Sequence, residues 1–183
     1  YVGRVSREKN MELLSDAFAA LIDGGFRSHL VIVGDGPYRD EMEKRLKGYP
    51  ALFTGFLSGE DLCRIYASSD IFLFPSATDT FGNVVLEAQA SGLPVIVSDE
   101  GGPKELMAHG ETGYVVKANS KESLTDAMIV FLKDKNRIKY MGKKARSFVE
   151  ENTMKGSNAY STILKTADQG ELRPDRTGKA IYT

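Results

Sequence analysis

The sequence predicts an α/β fold with a doubly wound, Rossmann-like parallel sheet. Short apolar runs alternate with longer segments in which apolar residues recur at helical spacing, and turns rich in glycine and proline separate the two. A continuous apolar run is typical of a strand that is buried on both faces, as parallel strands are when helices cover them. Alternating strands and helices imply crossover connections, so ligands are expected at the carboxyl ends of the strands.

Six strands are predicted, and all but the first are apolar runs of three or four residues. They cover residues 1–4, 30–33, 51–54, 71–74, 95–97 and 114–116. Helices are expected between them, with Asn10 as the cap of the first and Ser58 with Asp61 as a capping pair for another. Ser120 starts a further helix, and two more helices are expected to complete the chain.

Composition excludes several classes of protein. The 183 residues are enough for one well-packed domain, and the formal net charge of −1 creates no field that would attract nucleic acid. The single cysteine, Cys63, cannot form an internal disulfide or a zinc cluster, so we expect a reducing, cytoplasmic setting. No apolar run approaches the roughly 20 residues that span a bilayer. The chain opens with Tyr1 in what reads as a strand, so we expect it to be a fragment of a longer protein.

The chemistry is concentrated in residues 75–116. Asp79 and Glu87 are separated by seven residues, and an apolar helix begins between them, just after the Phe81-Gly82 turn. The start of a helix presents free backbone N–H groups that favour phosphate, and glycine lets a ligand approach the main chain. Glu87, about one turn into the helix, is better suited to accept hydrogen bonds from sugar hydroxyls beside that phosphate. The pattern implies a sugar nucleotide as the ligand.

This segment resembles the acid-x7-acid signature of the retaining glycosyltransferases of family 4. The usual pattern is Glu-x-Phe-Gly-x4-Glu-Ala, and here it runs from Asp79 to Ala88, with the shorter aspartate in the first position. The resemblance extends from Tyr1 to about Asp168. It implies that residues 1–168 are the donor-binding domain, the C-terminal half of a GT-B fold, and that the N-terminal acceptor domain is absent. Residues 169–183 read as a tail or returning segment, which we expect to be poorly ordered.

The resemblance also implies roles for individual residues. Asp79 would contact the donor sugar, Glu87 the ribose hydroxyls, and fixed cations would stabilise the leaving diphosphate. Arg4 and Lys9 match the family's Gly-Arg-x4-Lys pattern and would be those cations. The backbone around the turn would hold the diphosphate or sugar, through Phe81, Gly82, Asn83 and Val84. Three residues at other strand ends would lie near the nucleotide or its base: Gly34, Phe56 and Leu57.

The expected reaction is transfer of a hexose from a UDP- or GDP-sugar to a glycan or lipid acceptor, with retention of configuration. No cofactor or metal is expected, because the chain lacks the Asp-x-Asp element of metal-dependent glycosyltransferases. A non-catalytic nucleotide-sugar-binding module and a sugar-nucleotide epimerase stay open as alternatives. A nicotinamide-binding domain is disfavoured, because the first loop lacks Gly-x-Gly-x-x-Gly and carries cations instead.

A cluster of three cations near the C-terminus has two interpretations. Lys143, Lys144 and Arg146 are most simply a solvated helix face. The alternative is a peripheral contact of the full-length enzyme with anionic lipid.

Overall fold

The computed structural model describes residues 1–154, in which five strands alternate with six α-helices. The strands are β1 Leu30–Val33, β2 Ala51–Gly55, β3 Phe72–Phe74, β4 Val95–Ser98 and β5 Gly113–Val116. The α-helices are α1 Met11–Asp23, α2 Arg39–Arg45, α3 Gly59–Ser68, α4 Asn83–Ala90, α5 Lys121–Lys133 and α6 Lys135–Met154. Two short 3-10 helices cover Arg7–Lys9 and Pro103–Leu106. The expectations for residues 155–183, including the poorly ordered tail, lie outside the described residues.

All strand pairings are parallel, as the sequence predicts. β1 pairs with β2, and β4 lies between β3 and β5. The predicted first strand is short: Val2 forms a parallel bridge with Val33, and the backbone of Tyr1 and Gly3 makes three hydrogen bonds with β1. The ring of Tyr1 stacks on Phe74 of β3, with centroids 5.9 Å apart. The N-terminal segment therefore lies between β1 and β3, and the order of strand addition changes direction at this point, as in doubly wound sheets.

The core explains why these segments became strands and helices. Every residue of β3 and β4 is buried, which agrees with strands covered by helices on both faces. α1 buries one stripe of apolar residues that recur at helical spacing: Met11, Leu14, Ala17, Phe18 and Leu21. Burying a side chain such as Phe18 contributes about 1.5–3 kcal/mol, so the stripe fixes the helix in the hydrophobic core.

Two of the predicted caps, Asn10 and Ser58, occupy the N-cap positions of their helices, but neither side chain makes a capping bond. Asn10 precedes α1 in a left-handed conformation, with φ of 57°, and makes no side-chain capping bond. Its amide instead donates to the backbone oxygen of Pro75, 3.0 Å away, which joins two loops. Ser58 precedes α3 without a side-chain capping bond. Ser120 does cap α5, because its hydroxyl accepts a hydrogen bond from the Ser123 amide at 3.1 Å.

The last described helix, α6, packs closely against the end of α4. A Cβ on Gly142 would lie 2.2 Å from the backbone oxygen of Gly92, so only glycine fits there. Arg146 donates to the backbone oxygen of Ala90 at 2.6 Å, so its assignment to a solvated face is wrong. Lys143 and Lys144 are exposed as expected. Within residues 1–154, no helix combines the length and apolarity needed to cross a membrane.

Candidate functional site

A cavity of about 180 Å³ lies beside the point where strand addition changes direction. Its walls come from the N-terminal segment, the end of β3, the loop that follows it and the start of α4. The lining residues are Tyr1, Val2, Gly3, Arg4, Lys9, Phe74, Asp79, Phe81, Gly82, Asn83 and Val84. We call it the donor cavity. In open parallel sheets this crevice is the usual position of a ligand.

Two loops that are about 70 residues apart in sequence form one wall of the donor cavity. The Lys9 ammonium contacts the Asp79 carboxylate, with Nζ and Oδ1 2.6 Å apart. The Thr78 hydroxyl donates to the backbone oxygen of Glu8 at 3.1 Å, and Asn10 donates to Pro75 as described above. These contacts hold the first loop against the loop after β3, so the predicted cation and the predicted acid meet directly.

The ion pair is shielded from water. The side chains of Lys9 and Asp79 are 21% and 20% exposed, so water and salt screen their attraction less than at the surface. The second carboxylate oxygen, Asp79 Oδ2, is buried without a hydrogen-bond partner in the described part of the chain. A buried acceptor left unsatisfied costs about 1–3 kcal/mol. Such an oxygen is suited to a hydroxyl donor supplied by a ligand.

The start of α4 borders the donor cavity and carries backbone amides that are suited to an anion. Gly82 occupies the N-cap position and Asn83 is the first helical residue. The first amides of a helix have no partner within it, and the first turn of α4 contains no acidic residue that would neutralise its positive end. This arrangement suits a phosphate group. Asp79 and the start of α4 therefore present complementary chemistry to one cavity, an acceptor for hydroxyls and donors for phosphate.

The loop after β4 packs against the loop after β3, which contains Asp79. The Gly102 amide donates to the backbone oxygen of Asp79 at 2.8 Å. A Cβ on Gly102 would lie 1.9 Å from the backbone oxygen of Thr80, and one on Gly82 would lie 3.2 Å from the Pro103 ring. Close approach of the two loops thus requires glycine at position 102 and leaves little space beside Gly82. The Gly-Gly-Pro sequence signals a turn, but it does not reveal what the turn contacts.

Glu87 lies one helical turn after Asn83 and shares its face of α4. Its carboxylate accepts a hydrogen bond from the Tyr66 hydroxyl of α3, 3.0 Å away. Burial first, and the Glu87 carboxylate second, raise the pKa of Tyr66, which keeps this hydroxyl a donor. Glu87 lies outside the set of residues that line the donor cavity. Sequence reasoning missed Tyr66, because nothing in the spacing links residues 66 and 87.

The other three predicted contact residues lie at the carboxyl ends of β1 and β2, also outside the lining of the donor cavity. Gly34 has a φ of +124°, and a Cβ there would lie 2.0 Å from the backbone oxygen of Gly3. Close backbone approach therefore explains this glycine without a ligand. The Phe56 side chain is 81% exposed and Leu57 is half-buried. Base contacts of Phe56 and Leu57 stay predictions.

A second, larger cavity of about 460 Å³ lies at the opposite end of the sheet, beside the start of β5. It is lined by Gly110, Tyr114, Asp134, Asn136, Arg137, Tyr140 and Met141, and we call it the amino-end cavity. None of the predicted site residues lines it. For metals, residues 1–154 contain no group of three or more His, Cys, Asp or Glu side chains placed to hold an ion.

Comparison with protein families gives one match that spans most of the chain. The family model described as "Glycosyl transferases group 1" matches residues 1–148. A sulfoquinovosyl transferase, SQD2 of Arabidopsis thaliana, is 37% identical over 82% of this chain and 29% of its own length. A GDP-mannose-dependent alpha-mannosyltransferase of Mycolicibacterium smegmatis is 41% identical over 72% of this chain and 33% of its own length. The chain thus spans about a third of the length of these relatives.

Solved structures agree on the fold. The C-terminal domain of a glycosyl transferase group 1 family protein, LpcC of Francisella tularensis, superimposes with a TM-score of 0.75 at 21% identity. The match covers 84% of this chain and 83% of that one. Anabaena HepE in complex with UDP-glucose gives a TM-score of 0.72 at 22% identity, over 92% of this chain and 47% of that one. The expected C-terminal half of a GT-B fold is confirmed.

Proposed function

Because the chain belongs to the group 1 glycosyltransferases, we propose that it binds a UDP- or GDP-hexose and, in the full-length protein, transfers the hexose to an acceptor with retention of configuration. The contact between Lys9 and Asp79 at the start of α4 carries this proposal. It brings a cation, a hydroxyl acceptor and free helix amides to one cavity. Those are the groups needed by a diphosphate that is joined to a sugar. One named relative is GDP-mannose-dependent and one structural neighbour is solved with UDP-glucose, which supports this donor class.

The proposed chemistry relies on stabilising the charge that develops on the leaving group. The bond between the anomeric carbon and the diphosphate oxygen breaks, and negative charge gathers on the diphosphate. Lys9, Arg4 and the amides at the start of α4 stabilise that charge. The acceptor hydroxyl attacks from the face that the diphosphate leaves, and its proton passes to the departing phosphate oxygen. Retention then requires no protein nucleophile, and we name none.

The remaining contacts are assigned to the nucleoside. Glu87, oriented by Tyr66, would accept hydrogen bonds from the ribose hydroxyls. Gly34, Phe56 and Leu57 lie at neighbouring strand ends and would face the base, since pockets for flat bases need an apolar wall. Residues of the N-terminal domain would bind a glycan or lipid acceptor. Exposed Lys143 and Lys144 are available for contact with an anionic membrane surface in the full-length protein.

The test is calorimetric titration of the full-length polypeptide with UDP, GDP, ADP and NAD, each with and without magnesium. We expect binding of UDP or GDP that does not depend on magnesium. Binding of NAD alone, or binding that requires the metal, would contradict the proposal. Product analysis with a UDP- or GDP-hexose then separates the alternatives. A transferase forms a glycosylated acceptor, an epimerase changes the sugar nucleotide without an acceptor, and a binding module leaves the donor unchanged.

A further inference from the structure

The ion pair of Lys9 and Asp79 conflicts with a simple phosphate site. Lys9 is the cation assigned to the diphosphate, yet its Nζ lies 2.6 Å from a carboxylate oxygen in a setting only about one-fifth exposed. A diphosphate that approaches Lys9 must compete with Asp79 and must also place its negative charge beside that carboxylate. Like charges this close repel strongly where screening is weak. Asp79 therefore opposes a ligand that offers a diphosphate alone.

A sugar attached to the diphosphate changes this balance. Asp79 lines the donor cavity, and its Oδ2 is buried without a hydrogen-bond partner among residues 1–154. A turn of the carboxylate that accompanies release of Lys9 would offer this oxygen to a ligand hydroxyl. The donor cavity, about 180 Å³, holds the volume of about six water molecules at roughly 30 Å³ each, which is room for a small polyhydroxylated ring. Hydroxyl donors would replace the contact that Asp79 gives up when Lys9 turns to the diphosphate.

We propose that Asp79 acts as a specificity determinant that frees Lys9 for the diphosphate only when a sugar is attached to it. This inference rests on the proposed function. Asp79 thereby lowers the affinity for nucleoside diphosphate relative to nucleotide sugar. After transfer the sugar is gone. The ion pair between Asp79 and Lys9 then forms again, and the nucleoside diphosphate product is released. The same residue serves donor selection and product release.

The test compares ligand pairs that differ only in the sugar. Dissociation constants of UDP and UDP-glucose, and of GDP and GDP-mannose, are measured on the full-length wild type and on Asp79→Asn. The amide is isosteric and uncharged, so it no longer opposes the diphosphate. We expect the nucleoside diphosphate to bind about tenfold more tightly, as loss of one close like-charge contact predicts, while the nucleotide sugar binds equally or more weakly. The ratio of the two constants is the readout.

Further variants show whether the effect passes through Lys9. In a Lys9→Met background, Asp79→Asn should tighten nucleoside diphosphate binding by clearly less than in the wild type, because no cation is left to release. Asp16→Asn is the matched control, since it removes an exposed carboxylate that pairs with Arg45 at 2.8 Å, away from the donor cavity. We expect it to leave both constants unchanged. Circular dichroism confirms that each variant is folded.

The outcomes separate this inference from the proposed function. If the wild type binds none of the four ligands, the proposed function and this inference both fail. If the wild type binds them but Asp79→Asn weakens nucleoside diphosphate binding, or changes both members of a pair by the same factor, only the inference is overturned.

Discussion

The two cavities of this domain differ in a way that volume does not reveal. The amino-end cavity is the larger, about 460 Å³, but its polar groups already contact one another. Arg137 donates to the Tyr114 hydroxyl at 2.8 Å, and Asp134 accepts the amides of Asn136 and Arg137 at 3.0 and 3.1 Å. The donor cavity, about 180 Å³, contains a buried carboxylate oxygen without a partner in the described range.

The difference shows that cavity size alone does not identify a site. Asp134 and Arg137 complete the junction between α5 and α6, so their contacts serve the fold. Asp79 and the first amides of α4 keep acceptors and donors that the fold does not use. Position agrees, because the donor cavity lies at the carboxyl ends of the strands and the amino-end cavity lies at the opposite end.

Removing one cation from each cavity should give the largest difference in activity between the two cavities. Lys9→Met keeps the length of the side chain but removes the charge that we propose stabilises the leaving diphosphate. We expect kcat for sugar transfer to fall by about 10²–10³, as when one preorganised donor to a developing anion is lost. Arg137→Met should leave kcat within about twofold, as substitutions away from functional contacts do. Both values come from initial rates with saturating donor.

A comparable loss of kcat in both variants would contradict the distinction between the cavities. An unchanged rate in Lys9→Met would remove Lys9 from the proposed chemistry. Unfolding curves for both variants serve as the control, because Lys9→Met also leaves Asp79 without its cation.

Adding one methyl group beside each cavity gives the next largest effect. Gly102→Ala would place a Cβ 1.9 Å from the backbone oxygen of Thr80, so the loop after β3 must shift. We expect a loss of about 1–3 kcal/mol in the free energy of unfolding, together with weaker UDP or GDP binding. Gly110→Ala meets no atom within 4 Å, but its φ of +80° is strained for alanine and costs about 1–2 kcal/mol.

Urea unfolding and calorimetry together distinguish the two glycines. Both variants should be less stable, but only Gly102→Ala should lose nucleotide affinity. Weaker nucleotide binding in Gly110→Ala would show that general destabilisation, rather than displacement of Asp79, is responsible.

The sequence predicted the fold because the decisive signals are local. Apolar runs such as residues 30–33 and 95–97 are long enough for strands and too short for helices, and each became a strand within one residue of its predicted limits. The first strand is shorter than residues 1–4, because its parallel backbone hydrogen bonds to β1 involve only Tyr1 and Gly3. The Asn10 side chain makes no capping bond because its amide donates to the backbone oxygen of Pro75, 65 residues away.

The site was predictable only in part, for the same reason. Motif spacing brought Asp79 and the start of α4 together, since they are neighbours in sequence. The contacts of Lys9 with Asp79, Tyr66 with Glu87 and Gly102 with Thr80 join separate segments, and a single sequence carries no signal for such pairings. Predictions for Gly34, Phe56 and Leu57 depend on a ligand and stay predictions.

Glu87→Gln should give a smaller, ligand-specific effect. Glutamine can still accept a hydrogen bond, but a charged acceptor is roughly twice as strong as a neutral one. We expect UDP or GDP affinity to fall by about fivefold, which is about 1 kcal/mol, while the affinity for inorganic phosphate stays the same. Competition titrations with nucleotide and phosphate measure both. Equal weakening of phosphate binding would point to a structural role for Glu87 in α4.

The smallest expected effect comes from deleting one hydroxyl near each cavity. Tyr66→Phe removes the donor that orients Glu87, and the freed carboxylate oxygen can still bind ribose, so nucleotide affinity should fall by only about 0.5 kcal/mol. Tyr140→Phe, an exposed hydroxyl of the amino-end cavity, should change nothing. Because the pKa of Tyr66 is raised, its hydroxyl stays protonated as the pH passes 10, so the pH profiles of nucleotide affinity of the wild type and Tyr66→Phe should have the same shape there. A step near pH 10 that disappears in Tyr66→Phe would mean that Tyr66 titrates as an ordinary tyrosine and that Glu87 does not hold its proton.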